Sequence, residues 1–152
     1  MLLSEFAKFY HQLDIDANWK NIEVFKSVCL TTDGDDFDYT TSGNDRSGGS
    51  RKRGVYRHIA KIDGEDMILY IGKAEGTSSS IAQRQTRHLH AYKNINFTGE
   101  MSGKKYRQFM QDYQYSELFI RIEYVDMTDF PPAMIAMFER MSIDHFMPLI
   151  NQ

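Results

Sequence analysis

The feature that most constrains the fold is a pair of β-type runs joined by a tight turn signal. The run "GVYRHIAKI" starts at Gly54, the run "MILYIG" ends at Gly72, and "DGED" between them contains Asp63 followed by Gly64. Aromatic and β-branched residues favour strands, and Asp-Gly favours the two-residue turn of an antiparallel hairpin. The segment is therefore predicted to form two adjacent antiparallel strands, which places the tripeptides "GVY" and "YIG" on neighbouring strands.

The chain after this hairpin is predicted to alternate between helices and one more strand. Ser80 and Gln83 have the spacing of a capping box, and two consecutive prolines before Ala133 suit the first turn of a helix. Alternation in "ELFIRIEYV" is typical of a strand that is buried on at least one face. The predicted elements are a helix over 81–92, a helix over 102–113, a strand over 117–125 and a helix over 133–146.

The N-terminal third gives a different pattern. Apolar residues at helical spacing predict an amphipathic helix over 2–13, whereas residues 31–53 are dense in Gly, Ser, Asp and Thr, which indicates a long mobile loop. The predicted fold class is α/β (α+β), with a small three-stranded antiparallel sheet flanked by helices in the order β-β-α-α-β-α. Residues 1–53 would form a helical extension with a flexible loop, and residues 54–152 a single domain.

Charge and composition limit the possible functions. The chain has 152 residues and a net charge of −3, yet residues 51–121 hold thirteen basic and seven acidic residues. This basic segment is compatible both with a polyanion site and with ordinary solvated surface. No apolar run approaches the roughly 20 residues of a membrane span, so a cytoplasmic protein is expected. Cys29 is the only cysteine, and the histidines have no zinc-site spacing.

Several residues downstream of the hairpin complete a larger pattern. "GVY" and "YIGK" are followed by "IAQRQTRH", in which Arg84 and His88 lie four residues apart on one helical face, then by Glu139 and by Asn151 in "PLIN". In this arrangement the chain resembles the GIY-YIG nuclease superfamily. The resemblance covers residues 54–151, and "GVY" departs from the commonest form by one change of Ile to Val.

The resemblance implies a role for each of five residues. Tyr56 would be the general base or nucleophile-activating group, and Tyr70 would hydrogen-bond the attacking water or the scissile phosphate. Arg84 would stabilise charge on the phosphoryl oxygens, and His88 would assist the base or orient phosphate. Glu139 would anchor one Mg²⁺ or Mn²⁺.

Further residues are expected to contact the substrate or support the site. Gly54 and Gly72 lack a Cβ atom and allow close approach of backbone or substrate. Arg84 is preferred to Arg87 as the phosphoryl clamp because of its spacing from His88. The residues predicted to bind substrate are Gly72, Lys73, Arg87, Arg53 and Asn151, of which Asn151 would tie the C-terminus to the site by hydrogen bonds.

The predicted function is hydrolysis of DNA phosphodiester bonds, which leaves 5′-phosphate and 3′-hydroxyl ends. The chain would be a stand-alone endonuclease of a restriction or phage DNA-degrading type, and cleavage of both strands favours a homodimer. The alternative is a nucleic-acid-binding or interaction module that kept the fold and lost the reaction. The nuclease hypothesis expects the hydroxyls of Tyr56 and Tyr70 to share one cleft with Arg84 and Glu139, and Glu139 on the far face of the sheet would contradict it.

Overall fold

The computed structural model describes residues 13–20, 22–33, 36–42, 51–76, 79–93 and 102–151, and these form an α+β fold. The strands are β1 (Glu23–Asp33), β2 (Asp36–Ser42), β3 (Gly54–Ile62), β4 (Glu65–Ala74) and β5 (Glu117–Asp126). The helices are α1 (Ile15–Lys20), α2 (Ile81–Lys93), α3 (Ser102–Asp112) and α4 (Pro132–Phe146).

All five strands belong to one antiparallel sheet in the order β2-β1-β5-β3-β4. The prediction of a three-stranded sheet was therefore wrong, although the order of elements after Gly54 agrees with the predicted β-β-α-α-β-α. The two additional strands come from the N-terminal third and pair with β5 through β1. The predicted boundary after Arg53 falls between strands of the same sheet, and the predicted helix over 2–13 lies outside the described residues except for Leu13.

Residues 31–33 and 36–42 of the predicted mobile loop are strand. They belong to β1, which has a β-bulge between Val24 and Lys26, and to β2. In β2 the aromatic residues Phe37 and Tyr39 alternate with polar ones, and both pack against the core. The abundance of Asp, Thr and Ser concealed this alternation in the composition.

The hairpin that constrained the prediction is present in the structure. Asp63 and Gly64 have φ angles of 52° and 83°, as a two-residue turn with left-handed residues requires. The pairing of β3 with β4 sets Tyr56 opposite Gly72 and His58 opposite Tyr70, and a register shift follows between His58 and Ile59. Tyr56, His58 and Tyr70 consequently leave the sheet on the same face.

Helices cover both faces of the sheet and divide the core in two. Helices α2 and α3 pack on the face that carries Tyr56, against a cluster that includes Leu30 and Ile120. Helices α1 and α4 pack with residues of the opposite face, such as Val55 and Ile71. Among the described residues, no helix combines the length and the apolar character needed to cross a membrane.

Candidate active site

Four aromatic side chains from three elements form one ring cluster, which is the centre of the candidate site. Tyr56 and His58 come from β3, Tyr70 from β4 and His88 from α2. The centroid of the His88 ring lies 5.0 Å from that of Tyr70, 5.3 Å from that of His58 and 5.6 Å from that of Tyr56. The centroids of the two tyrosine rings are 6.2 Å apart. The paired tripeptides thus place the two tyrosines side by side, with His88 over them.

Tyr56 is the inner member of this cluster. Its side chain is 0% exposed, and its hydroxyl oxygen lies 2.5 Å from Nε2 of His88. Burial lowers the pKa of His88 well below its usual value, and the nearby charges of Arg84 and Arg87 lower it further. His88 is therefore neutral near pH 7 and can accept a proton from the Tyr56 hydroxyl. Tyr70 is only half-buried and is the tyrosine nearer to solvent.

Gly72 allows the Tyr56 ring to lie directly on β4. A Cβ atom at Gly72 would overlap the hydroxyl and ring of Tyr56 and would stand 2.9 Å from the ring of Tyr70. The sequence predicted that backbone or substrate would come close to Gly72. In the structure the group that comes close is the side chain of Tyr56, from the same hairpin. Gly54 has a comparable constraint, because its φ is 155° and a Cβ there would collide with the backbone oxygen of Val125.

The charged residues of the candidate site lie beside this cluster. Arg84 is in the first turn of α2, one turn before His88. Glu139 is on α4 with its side chain 21% exposed, and its Oε1 atom lies 3.9 Å from Nζ of Lys73. Burial raises the pKa of Glu139, whereas the charges of Lys73 and Arg84 act in the opposite direction. Glu139 is thus within electrostatic range of Arg84.

These groups do not share one cleft on one face of the sheet. Glu139 belongs to a helix on the far face, which is the placement stated above to contradict the nuclease hypothesis. Helix α4, which carries Glu139, packs on the face opposite to Tyr56, while α2, which carries Arg84, packs on the same face as Tyr56. Each of the two helices contacts β4, which is an edge strand of the sheet, and Nζ of Lys73 on β4 lies 3.9 Å from Oε1 of Glu139. The candidate site therefore lies at the edge strand β4. The two tyrosines are on one face of the sheet, and the carboxylate of Glu139 comes from the opposite face.

The carboxylates near Lys73 suit a hard divalent cation. Lys73 Nζ lies 3.2 Å from Oε1 of Glu75 and 3.9 Å from that of Glu139, so two carboxylates flank one ammonium group. Mg²⁺ binds through one or two carboxylate oxygens and otherwise keeps its waters. No group of three or more His, Cys, Asp or Glu side chains that could hold a metal occurs within the part of the chain described. Glu139 has the carboxylate oxygens that such a cation prefers, and metal binding by it stays a prediction.

The remaining predicted residues have varied surroundings. Arg53 donates from its guanidinium to the backbone oxygens of Glu75 at 3.3 Å and Thr128 at 2.6 Å, so this group braces two loops of the protein. Arg87 is exposed on α2. Asn151 accepts from the backbone N–H of Ile71 at 2.7 Å and donates to its carbonyl at 2.8 Å. Asn151 therefore attaches the C-terminal segment to β4 just before Gly72.

Three residues that the sequence reasoning did not select lie next to the ring cluster. His58 Nδ1 lies 2.5 Å from the hydroxyl of Tyr106, and His58 Nε2 lies 2.7 Å from Oε1 of Gln85. The signal for His58 was its position two residues after Tyr56, which puts both side chains on one face of a strand. The signal for Gln85 was its position on α2, three residues before His88. The approach of Tyr106 depends on how α3 packs, which no local pattern specifies.

Comparison with known proteins adds no assignment, because no protein-family model, no curated protein and no solved structure matches this chain.

Proposed function

We propose that the protein is a metal-dependent endonuclease that hydrolyses DNA phosphodiester bonds in the manner of GIY-YIG nucleases. The observation that carries the proposal is the meeting of the two tripeptides with α2. Tyr56 and Tyr70 stand side by side on paired strands, and α2 brings His88 to hydrogen-bond distance of the Tyr56 hydroxyl. A neutral histidine bonded to a tyrosine can accept its proton, although the lowered pKa of His88 makes it a weaker base than an ordinary histidine.

The Tyr56–His88 pair offers a route for the proton of the attacking water that does not pass through a free phenolate. A free phenol has a pKa of about 10 and is rarely ionised at pH 7. Here the Tyr56 oxygen can take the proton of the attacking water while its own proton passes to Nε2 of His88, so no stable phenolate is required. Because Tyr56 is fully buried, water reaches its hydroxyl only when the surrounding rings open, whereas the half-buried Tyr70 can orient that water directly.

The charged residues serve the phosphoryl group in this proposal. The water oxygen forms a bond to phosphorus, the bond to the 3′ oxygen breaks, and that oxygen takes up a proton. Arg84 neutralises the charge that grows on the non-bridging oxygens. Glu139 would hold Mg²⁺ or Mn²⁺, and the bound cation would stabilise negative charge on the reacting oxygens. Lys73 balances the charge of Glu139 until the cation binds.

The charge of the helices around this site favours a polyanionic substrate. Helices α2 and α3 together contain six Lys and Arg residues and one acidic residue, although the whole chain carries −3. Arg87, Lys104 and Lys105 are exposed on them. Phosphate backbones bind where Lys and Arg accumulate locally, so this pair of helices is the surface on which DNA would lie.

The test is plasmid cleavage by purified protein with Mg²⁺ or Mn²⁺, compared with EDTA. Wild-type protein is expected to nick and linearise the plasmid, and Arg84→Ala and Glu139→Gln are expected to lose roughly 100-fold or more of this activity. Arg140→Gln is the matched control, because Arg140 follows Glu139 directly but is exposed and pairs with Asp144 at 3.3 Å. Its activity should equal that of the wild type.

Two results would contradict the proposal. Intact plasmid after incubation with wild-type protein, across several DNA sources and both metals, would reject catalysis and favour a non-catalytic nucleic-acid-binding module. Two observations favour this alternative: Tyr56 is fully buried, and the helix that carries Glu139 packs on the face of the sheet opposite to Tyr56. Cleavage of equal rate in the Glu139→Gln preparation would identify a contaminating nuclease.

A further inference from the structure

His58 is a buried member of the ring cluster and has a partner on each ring nitrogen. It is 4% exposed, and its ring centroid lies within 5.3 to 5.8 Å of the rings of four neighbours. Those neighbours are Tyr56, Tyr70, His88 and Tyr106. Three of the four belong to the proposed active site, so the position of His58 affects all of them.

The two hydrogen bonds of His58 determine its tautomer. The atom of Gln85 that faces Nε2 is the carbonyl oxygen Oε1, which can only accept a hydrogen bond. His58 must therefore carry its proton on Nε2, and the unprotonated Nδ1 accepts from the hydroxyl of Tyr106. The order of donation is Tyr106 to His58 to Gln85. A second proton on His58 would reverse the bond to Tyr106, whose hydroxyl oxygen would then accept from Nδ1.

A cavity of about 20 Å³ lies beside these groups. His58, Gln85, His88 and Tyr106 contribute its polar lining, and the other lining residues are apolar apart from Tyr92. Gln85 is 1% exposed, and its Nε2 atom has no hydrogen-bond acceptor within the part of the chain described. A cavity of this size with polar walls can hold one water, which would accept from Gln85 Nε2 and complete its hydrogen bonding.

We propose that His58 is a positioning residue of the nuclease site, held by Gln85 and Tyr106 as the neutral Nε2–H tautomer. In this state the His58 ring packs in one fixed orientation against the rings of Tyr56, Tyr70 and His88. This packing keeps the Tyr56 hydroxyl aligned with His88 Nε2 while substrate binds on the Tyr70 side. The positioning role rests on the proposed function, whereas the tautomer and its two hydrogen bonds do not.

The tautomer can be measured without any activity assay. Long-range ¹H–¹⁵N spectra of the wild-type side chains, assigned with His58→Phe, distinguish protonation on Nε2 from protonation on Nδ1. We expect Nε2–H for His58 at pH 7, and Tyr106→Phe should shift the Nδ1 signal because that nitrogen loses its donor. An Nδ1–H tautomer or an imidazolium at pH 7 would overturn the proposal.

The positioning role is tested by the kinetics of Tyr106→Phe, which removes one hydroxyl and keeps the ring. A loosened His58 should lower kcat for plasmid cleavage roughly 10- to 100-fold, because catalysis is sensitive to small displacements, and should change KM less than twofold. Tyr113→Phe is the matched control, since Tyr113 lies just beyond the same helix and is exposed. It should keep the wild-type kcat.

The outcomes separate the two proposals. An active wild-type protein with an unchanged kcat in Tyr106→Phe would overturn the positioning role alone. An inactive wild-type protein would overturn the proposed function and the positioning role together, while the tautomer measurement would still decide the hydrogen-bond assignment.

Discussion

At Gly72 the absence of a side chain decides where Tyr56 can lie. Replacement by alanine would put a Cβ atom into the space of the Tyr56 hydroxyl and ring, and Tyr56 is too deeply buried to move at little cost. We expect Gly72→Ala to lower the free energy of unfolding by about 1–3 kcal/mol, as overpacking of a core does, and to abolish cleavage. Urea denaturation and the plasmid assay measure the two effects.

Gly76→Ala is the control for this substitution. The nearest atom to a Cβ at Gly76 is Cβ of Ser79 at 3.8 Å, which is an ordinary contact. Its stability should equal that of the wild type or exceed it slightly, because alanine reduces the entropy of the unfolded chain. Equal stabilities of the Gly72→Ala and Gly76→Ala proteins would contradict the proposed packing of Tyr56.

The burial of His58 predicts a loss of stability in acid. Burial lowers the pKa of His58 in the folded protein to about 4 from a usual 6.5, so between these values the unfolded chain binds more protons. Stability therefore rises with pH over this window, and it falls as the pH is lowered. Between pH 7 and pH 5, His58 should account for a loss of about 2 kcal/mol in the free energy of unfolding.

Urea denaturation at the two pH values measures this loss of unfolding free energy in the wild type and in His58→Phe. The loss in His58→Phe should be smaller by about 2 kcal/mol. Glu139 contributes equally in both proteins, whereas His88 does not, because His58 lowers the pKa of His88 and its replacement also reduces the contribution of His88. His90→Gln is the control for loss of a histidine from α2, because His90 is exposed. An equal loss in the wild type and His58→Phe would show that His58 is accessible to protons in the folded state.

Among the elements, β2 separates the observed fold most clearly from the predicted one. The Phe37 ring packs edge-on against Tyr92 with centroids 5.5 Å apart, and the guanidinium of Arg107 lies 4.3 Å from its centroid. If β2 is part of the sheet, Phe37→Ala should cost about 2–3 kcal/mol of unfolding free energy, somewhat below the cost at a fully buried phenylalanine. Thermal or urea unfolding measures the change.

Thr40→Ala serves as the comparison on the same strand. Thr40 is exposed, and its replacement should cost no more than about 1 kcal/mol, the range of strand propensity. A cost of Phe37→Ala below that of Thr40→Ala would support the mobile loop that the composition had indicated.

How far the sequence predicts an element depends on whether its signal is local. The turn at Asp63 and Gly64 and the cap at Ser80, whose Oγ accepts from the Gln83 N–H at 3.1 Å, were predictable because they involve neighbouring residues. The bulge at Val24 and the pairing of β1 with β5 involve partners distant in the chain. The same distinction holds within the site, because the hairpin predicts the two tyrosines as neighbours, whereas the approach of Glu139 around β4 depends on the packing of α4.

At the scale of the whole molecule, the distribution of charge matters more than its sum. The described basic residues of α2 and α3 flank the face of the sheet that carries Tyr56 and Tyr70, while α4 contributes the carboxylate of Glu139 from the other side of β4. DNA bound along α2 and α3 would present one strand to this edge. One chain would then have one site, directed at one strand.

If two copies of such a molecule cut the two strands, the rate should depend on protein concentration in a characteristic way. The rate of plasmid nicking should be proportional to the protein concentration, whereas linearisation at low concentration should rise with its square, because both copies must act on one site. Addition of inactive Glu139→Gln protein should suppress linearisation more strongly than nicking, since mixed dimers cut one strand only. Arg140→Gln, added in the same amount, should suppress neither. A linear product that rises in simple proportion to protein, with no selective suppression by Glu139→Gln, would show that a single copy cuts both strands in turn.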